Sequence, residues 1–189
     1  MHRNASQTDL LPESWFARDA VVIARELLGK VIRHDGCLGR IVETEAYTTD
    51  AASHGRVLTE RSRLMHETHA RWYVYFTYGM HHCVNVTTNQ GGVGAVLIRA
   101  VEPLEGIERM QARRSTEDIR KLCSGPGKLC QAFCITKEQN GLPLTASFGI
   151  FDAPPVPESS VRVGPRIGIR KDTDLPWRFS LGDSPYASR

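Results

Sequence analysis

Two glutamates and a tyrosine share one predicted strand in the first quarter of the chain. In "RIVETEAY", which ends at Tyr47, side chains alternate between faces, so Glu43, Glu45 and Tyr47 should point the same way. A carboxylate is costly to place at the edge of a core unless it is paired or used. An ionised carboxylate beside a sugar can stabilise developing positive charge and deprotonate a water molecule. Alternation alone does not choose between Glu43 and Glu45, because both lie on one face.

A cluster of tyrosines is the second feature that could do chemistry. In "RWYVYFTYGM" the alternation puts Tyr73 and Tyr75 on one face and places Tyr78 in a turn beside Gly79. Such tyrosines are often ordinary core or sheet-rim residues. Combined with the Glu/Tyr face, the nearby His54 and arginine-rich loops, they could instead sandwich a planar base and hold a carboxylate against its sugar.

Composition restricts the class of protein. The 189 residues are 41% hydrophobic and 24% charged, which is typical of one globular domain and not of a disordered or fibrous chain. No apolar run approaches the length that crosses a bilayer, and the first residues lack the apolar core of a secretory signal. We therefore expect a cytoplasmic protein, associated with the nucleoid if the organism is bacterial. A net charge of +3 permits a polyanionic partner without requiring one.

Cysteines and histidines show no metal-binding pattern. The five cysteines form no CxxC pair and are expected to be reduced, buried thiols, with Cys123, Cys130 and Cys134 facing the core from a helix. Four histidines could be drawn together as a metal cluster, but their spacing matches no standard zinc site. These histidines are His66, His69, His81 and His82. No metal or other cofactor is expected.

The elements that must position these residues follow from periodicity and turn signals. Helices are predicted over 19–28, over 104–114 and from Pro126 onward. Strands are predicted on both sides of Asp35-Gly36 and of Tyr78-Gly79, and over 94–103, 162–169 and 177–185. Strands and helices intersperse without a βαβ rhythm. This order predicts an α+β domain with a curved, mixed, mostly antiparallel sheet and flanking helices.

Several blocks together resemble the alkyladenine (3-methyladenine) DNA glycosylases, a family of base-excision repair enzymes. The blocks are "ARELLGKVI", "GRIVETEAY", "DAASH", "RWYVYFTYGMHHCVNV", "AVLIRAVEPLEGIERM" and "CSGPGKLCQAF", with "GPRIGI" and "PWRFSLGDSPYAS" after them. In family order they span roughly residues 10–188, so residues 1–189 are expected to form a single glycosylase domain. The resemblance implies an enzyme that flips alkylated or deaminated purines out of duplex DNA and hydrolyses the N-glycosidic bond.

The resemblance also implies a role for individual residues. Glu45 corresponds to the general base that activates water, and Arg99 to the residue that helps hold that water. Tyr47 resembles one wall of the base pocket, with His54 and Tyr75 as the other. The remaining two correspondences are Asn85, which would crowd the exocyclic amine of guanine, and Tyr78, which would fill the gap left in the duplex. The family is monofunctional, so cleavage of the abasic strand through a lysine Schiff base is not expected.

Duplex DNA containing damaged purines is the expected partner of a monomeric protein. Arg61, Arg63 and Lys128 are candidates for contacts with the DNA backbone, although ordinary solvated surface explains the arginines equally well and a capped helix explains the residues around Lys128. One departure from the family lies in "TERS" at 59–62, where the family commonly has Thr-Pro-Arg-Asn; Arg61 is retained.

Two other function classes stay open at this point. One is a catalytically weak relative that binds lesions or bent DNA. The other is a metal-dependent hydrolase built on the histidines. Excision of a damaged base without added metal separates both from the glycosylase.

Overall fold

A computed structural model describes residues 9–188 and contains one eight-stranded sheet. The strands are β1 (Val31–His34), β2 (Cys37–Tyr47), β3 (Trp72–Thr77), β4 (His81–Thr87), β5 (Ala95–Glu105), β6 (Gly149–Phe151), β7 (Val161–Gly164) and β8 (Arg178–Leu181). The helices are α1 (Ala20–Glu26), α2 (Arg63–Glu67), α3 (Ile107–Arg114), α4 (Ile119–Leu122) and α5 (Pro126–Ala132). The predicted α+β class is confirmed.

Strand β2 is the centre of the sheet. The main path runs β3-β4-β5-β2-β1-β6, and every pairing between these strands is antiparallel. One edge of β2 pairs with β5 over most of its length; the other edge pairs with β1 near its start and with β8 at Glu43–Glu45. Register shifts around Glu43 mark a bulge in the pairing with β5. Bulges of this kind change the direction of side chains beside functional sites.

Turn and cap residues act where the sequence predicts them. Asp35 and Gly36 both have positive φ, 44° and 71°, which is the requirement of a two-residue type I′ hairpin. Asp19, the first residue of the predicted helix, instead caps α1: its side chain accepts hydrogen bonds from the backbone N–H groups of Val21 and Val22. Pro126 occupies the first turn of α5, where the missing N–H costs nothing. The turn at Tyr78 separates β3 from β4 as predicted.

Four predictions differ from the structure. The strand predicted over 177–185 ends at Leu181, because its pairing with β7 ends there and the chain turns. The helix predicted over 104–114 begins only at Ile107, because β5 continues to Glu105 and Gly106 turns the chain at φ 75°. Strand structure in the 162–169 segment ends at Gly164, since the rest of it leaves the sheet to approach Glu45. Cys134 was expected in the core but is exposed: it follows the end of α5 in a left-handed turn with φ 56°. The other four cysteines are buried free thiols.

The core lies between the sheet and the helices that pack on it. Helix α1 packs against β2 and β5, and α5 packs against β4 and β5. Trp72 of β3 is fully buried and stacks on Phe148, with ring centroids 4.0 Å apart. These contacts hold the long strands β2 and β5 rigidly in place. Within residues 9–188, no helix is long and apolar enough to cross a membrane.

Candidate active site

A cavity of about 580 Å³ opens beside β2, β4 and β5. Six of the residues predicted from sequence line it, and they come from four separate parts of the chain. These are Tyr47, His54, Tyr75, Tyr78, Asn85 and Arg99. Its size lies within the usual range for pockets that hold a small organic molecule. The tertiary structure therefore brings the predicted aromatic and polar residues into one site.

Glu45 lies directly behind this cavity and is fully buried. Its Oε1 atom accepts a hydrogen bond from the Ile167 backbone N–H at 2.7 Å and lies 3.3 Å from Nη1 of Arg99. Its Oε2 atom accepts a hydrogen bond from the Tyr47 hydroxyl at 2.7 Å. Ile167, Arg99 and Tyr47 all line the cavity. The carboxylate is thus held in one orientation by groups that themselves face the cavity.

Glu43 shares Arg99 with Glu45 but otherwise points to different partners. Its Oε1 atom lies 3.4 Å from Nε of Arg99 and accepts a hydrogen bond from Nη1 of Arg178 at 3.0 Å. Its Oε2 atom accepts hydrogen bonds from the backbone N–H and the hydroxyl of Ser188, at 2.7 and 2.6 Å. Neither Arg178 nor Ser188 lines the cavity. Glu43 therefore anchors the C-terminal segment, and Glu45 is the carboxylate associated with the cavity.

Tyr47 combines a ring in the cavity wall with a hydroxyl committed to Glu45. Burial, together with the negative charge of Glu45, raises the pKa of Tyr47, so the phenol remains protonated. A protonated phenol can donate the hydrogen bond to the carboxylate. The same side chain therefore contributes to the aromatic wall and to the orientation of Glu45.

His54 is held by Tyr73, to which the family resemblance gave no role of its own. Its Nδ1 lies 2.8 Å from the hydroxyl of Tyr73, and its ring packs edge-on to Tyr75 with centroids 4.8 Å apart. Burial, followed by the nearby charge of Arg61, lowers the pKa of His54 to about 4, so the imidazole is neutral near pH 7. Burial raises the pKa of Tyr73 to about 12. The signal for Tyr73 was present, since strand alternation places it on the same face as Tyr75.

Asn85 is buried on β4 in the wall of the cavity. Its Nδ2 donates a hydrogen bond to the Tyr73 carbonyl at 3.0 Å, across the β3–β4 pair. This bond fixes the plane of the amide. A fixed amide in the wall can discriminate between bases by the groups at their edges.

The tip of the β3–β4 hairpin projects into solvent at the mouth of the cavity. Tyr78 is 75% exposed and Met80 74% exposed, a large apolar surface for one turn. Tyr78 has φ 52°, and its hydroxyl donates a hydrogen bond to the Gly168 carbonyl at 3.3 Å. Exposed apolar side chains on a rigid turn suit insertion between stacked bases.

The three candidates for contacts with the DNA backbone are all exposed, but their surroundings differ. The guanidinium of Arg61 lies 5.0 Å from the ring centroid of Tyr75, at the cavity wall. Nε of Arg63 lies 4.0 Å from Oε1 of Glu67 on α2, and Nζ of Lys128 donates a hydrogen bond to the Ser124 hydroxyl at 3.2 Å. Arg61 is thus part of the cavity surroundings, whereas Arg63 and Lys128 lie on open surface.

The loop at 59–62, which departs from the family pattern, is closed by its own side chains. Ser62 is buried; its hydroxyl donates to the Val57 carbonyl at 2.7 Å and accepts from the Thr59 N–H at 2.9 Å. These bonds hold Arg61, which lies between Thr59 and Ser62, over Tyr75. The substitution of serine for asparagine therefore keeps an ordered loop.

Across residues 9–188, no three His, Cys, Asp or Glu side chains gather closely enough to hold a metal ion. His66 lies in α2 and His69 lies two residues after its end, while His81 and His82 begin β4. The four histidines do not form a centre.

The sequence itself matches the family model of the methylpurine-DNA glycosylases over residues 14–185. The chain belongs to this family. Its curated relatives carry the provisional name 3-methyladenine DNA glycosylase. One from Agrobacterium fabrum is 45% identical, covering 98% of this chain and 96% of its own length. Others from Nitrosospira multiformis and Rhodopseudomonas palustris are 45% and 47% identical, covering 94% and 95% of this chain and 93% and 88% of their own lengths.

Membership in a DNA glycosylase family makes the chain a DNA N-glycosylase in its general activity and makes DNA its partner. One segment of this glycosylase, which the sequence suggested only as part of an arginine-rich loop for phosphate contacts, also borders the cavity. Residues 167–171, after β7, form one side of the cavity and include Arg170 and Lys171. The block "GPRIGI" is part of the family resemblance, but only the folded structure shows that this segment contacts Glu45.

Proposed function

We propose that this glycosylase removes alkylated purines, and deaminated purines such as hypoxanthine, from duplex DNA. The damaged nucleotide would be flipped into the cavity, and a water molecule activated by Glu45 would attack the sugar carbon as the base departs. The product is an abasic site. The observation that carries the proposal is the fully buried Glu45 carboxylate, held against a cavity with tyrosines and a neutral histidine in its walls.

The hydrogen bonds of Glu45 favour one of its oxygens as the base. Oε1 is engaged both by the Ile167 N–H and by Arg99, whereas among residues 9–188 Oε2 accepts only from Tyr47. A carboxylate oxygen has two lone pairs, so Oε2 retains one that can accept from a water molecule. Such a water would lie between the carboxylate and the sugar of a flipped nucleotide. The negative charge of Glu45 would also stabilise the positive charge that develops on that sugar.

The aromatic walls suit a flipped purine. Tyr47 and Tyr75 offer ring surfaces, and stacking of one base on an aromatic side chain contributes about 1–3 kcal/mol. His54 is neutral near pH 7, so it does not repel a purine that carries positive charge from alkylation. An alkylated purine with positive charge is also a good leaving group. Neutral lesions need further help to depart, and the wall residues do not identify an acid for it.

Selectivity would come from the cavity wall and from flipping. The Asn85 amide, fixed by the Tyr73 carbonyl, would crowd the exocyclic amine of guanine. Unstacking a base costs a few kcal/mol, and least for a damaged or mispaired base. Tyr78, projecting from the hairpin tip, would fill the gap in the duplex and offset part of that cost.

A duplex containing one hypoxanthine or one 7-methylguanine tests the proposal. The expected result is an alkali-labile abasic site, formed without added metal and in the presence of a chelator. Binding without an abasic product on either substrate would reject the proposal in favour of a lesion-binding module. Activity that a chelator abolishes would reject it in favour of a metal-dependent hydrolase.

The absence of a lyase step is part of the proposal. Borohydride should trap no covalent complex between the protein and the abasic strand. Lys171 borders the cavity on an exposed segment, so Lys171→Ala is the informative control. A trapped complex that disappears in Lys171→Ala would show a Schiff base at that lysine and contradict the monofunctional assignment.

A further inference from the structure

Arg166 is a fully buried charge behind the cavity wall. Its side chain has no exposed surface, and it forms an ion pair with Asp50 in which Nη2 lies 2.7 Å from Oδ1. Nη1 donates a hydrogen bond to the Ala46 carbonyl at 3.0 Å, while Nε has no partner in the part of the chain that the structure describes. A buried charge is costly even when paired, because its hydration is lost. Its position therefore calls for an explanation beyond stability.

The guanidinium of Arg166 is sandwiched between two aromatic rings. Its central carbon lies 4.7 Å from the ring centroid of Tyr47 and 5.2 Å from that of Trp177. Tyr47 lines the cavity, but Arg166 does not. Arg166 thus contacts the Tyr47 ring from outside the cavity, while Tyr47 itself lines the cavity and can stack on a bound base.

Arg166 also connects the parts of the site that come from distant sequence. The backbone N–H of the next residue, Ile167, donates to Glu45. Its ion-pair partner Asp50 accepts from the backbone N–H groups of Thr48 and Ala52, which shape the loop that leads to His54. Burial alone would raise the pKa of Asp50, but the hydrogen bond from Arg166 helps to keep that pKa below its ordinary value. The pair is charged when the site is assembled.

We propose that Arg166 is a specificity-determining residue, which reduces the preference of the pocket for positively charged purines over neutral ones. The inference rests on the proposed function. The face of an aromatic ring attracts cations through its negative quadrupole. A guanidinium on one face already uses this attraction and repels a second cation on the opposite face. A neutral base such as hypoxanthine meets no such repulsion and still gains stacking.

The Asp50 carboxylate offsets part of the charge of Arg166, so the effect should be moderate. Interactions between a cation and an aromatic ring typically change an equilibrium by a factor of a few to about thirty. With the carboxylate beside it, we expect Arg166 to shift the selectivity by about five- to tenfold.

The test compares two substrates in one duplex sequence, 7-methylguanine as the cationic lesion and hypoxanthine as the neutral one, each opposite cytosine. The double variant Asp50→Asn/Arg166→Gln replaces the ion pair by a neutral pair that can still form hydrogen bonds. Arg166→Lys is the matched control, because it keeps the charge and loses the planar group. The measured quantity is the ratio of kcat/KM for 7-methylguanine to kcat/KM for hypoxanthine.

The ratio should rise by about five- to tenfold in the neutral double variant and stay within about twofold of the wild-type ratio in Arg166→Lys. An equal fall in activity on both substrates, with the ratio unchanged, would show that Arg166 only holds the structure together and would overturn the proposal. If the double variant gives no cooperative thermal unfolding, Asp50→Asn/Arg166→Met also removes both charges, keeps an acceptor for the Thr48 and Ala52 N–H groups, and supplies the same comparison. Wild-type protein that excises neither base would reject the proposed function instead.

Discussion

The substitution Glu45→Gln keeps the shape of the side chain and removes its negative charge. In the variant, the amide oxygen can still accept from Ile167 and Arg99, and the Tyr47 hydroxyl can turn to accept from the new amide NH₂ group. We therefore expect the folded structure and the binding of lesion-containing DNA to persist. General-base catalysis and charge stabilisation each typically contribute at least about 10²-fold to a rate. Losing both should slow excision by at least about 10⁴-fold.

Glu43→Gln is the matched control on the same strand face. Both oxygens of Glu43 accept from donors, Arg178 on one side and the two groups of Ser188 on the other. An amide NH₂ group would face a donor on either side. Breaking a buried ion pair typically costs about 3–5 kcal/mol of stability. For a chain of this length, that lowers the unfolding midpoint by roughly 6–20 °C. Measurable excision should remain, because Glu45 keeps its contacts.

The assay measures single-turnover excision of hypoxanthine from a labelled duplex at a temperature where both variants are folded. Fluorescence anisotropy on the same duplex measures binding, and thermal unfolding measures stability. Both variants lose one of the two carboxylates beside Arg99, but only Glu43→Gln also weakens the pair with Arg178 and turns an amide NH₂ group towards a donor. The expected pattern is a reversal: Glu45→Gln loses activity with the smaller loss of stability, and Glu43→Gln has the larger loss of stability with activity remaining. Equal loss of excision in the two folded variants would refute the assignment, since the wrong carboxylate would have been chosen or both would act.

Three further predictions address the wall, the hairpin tip and the DNA surface. Because its pKa is lowered to about 4 in the fold, His54 binds fewer protons than in the unfolded chain; stability should therefore fall as pH drops from about 6.5 towards 4. In His54→Asn, the midpoint of denaturation should depend less on pH between about 6.5 and 4 than it does in the wild type. A variant with the same pH dependence as the wild type would contradict the lowered pKa of His54. Tyr78→Ala should shift the unfolding midpoint little, because the side chain is mostly exposed, yet should slow excision from duplex DNA about tenfold more than from single strands. Replacing Arg63 or Lys128 by alanine should lower the slope of log Kd against log salt by about one per phosphate contact; an unchanged slope would place that residue off the DNA.

Local signals in the sequence predicted most elements of this fold. The Asp35-Gly36 hairpin, the capped start of α1 and the proline at the start of α5 depend on a few neighbouring residues, so their conformations can be inferred without tertiary contacts. The predictions failed where a longer-range contact decided the outcome. Residues at 104–105 have helical spacing, but pairing with β2 extends β5 through them. Cys134 follows an apolar helix, but the chain reverses there and exposes it.

The candidate site shows the same division. The sequence placed Glu43, Glu45 and Tyr47 on one face, because alternation along a strand is a local property. It could not predict that Tyr73 contacts His54 or that Ile167 donates a hydrogen bond to Glu45, since these residues are far apart in the chain. The family resemblance supplied the choice of Glu45. The roles that the resemblance assigns to individual residues stay predictions until the variants are measured.

By itself, the sequence determined most of the strands and helices, which face of β2 carries carboxylates, and which family the chain resembles. Only the tertiary structure decided how the two carboxylates differ. Both are buried beside Arg99, but Glu45 meets Tyr47 and the segment at 167, while Glu43 meets Arg178 and Ser188. The physical reason is that the environment of a buried charge is set by whichever distant groups the fold packs against it, and strand periodicity carries no information about those groups.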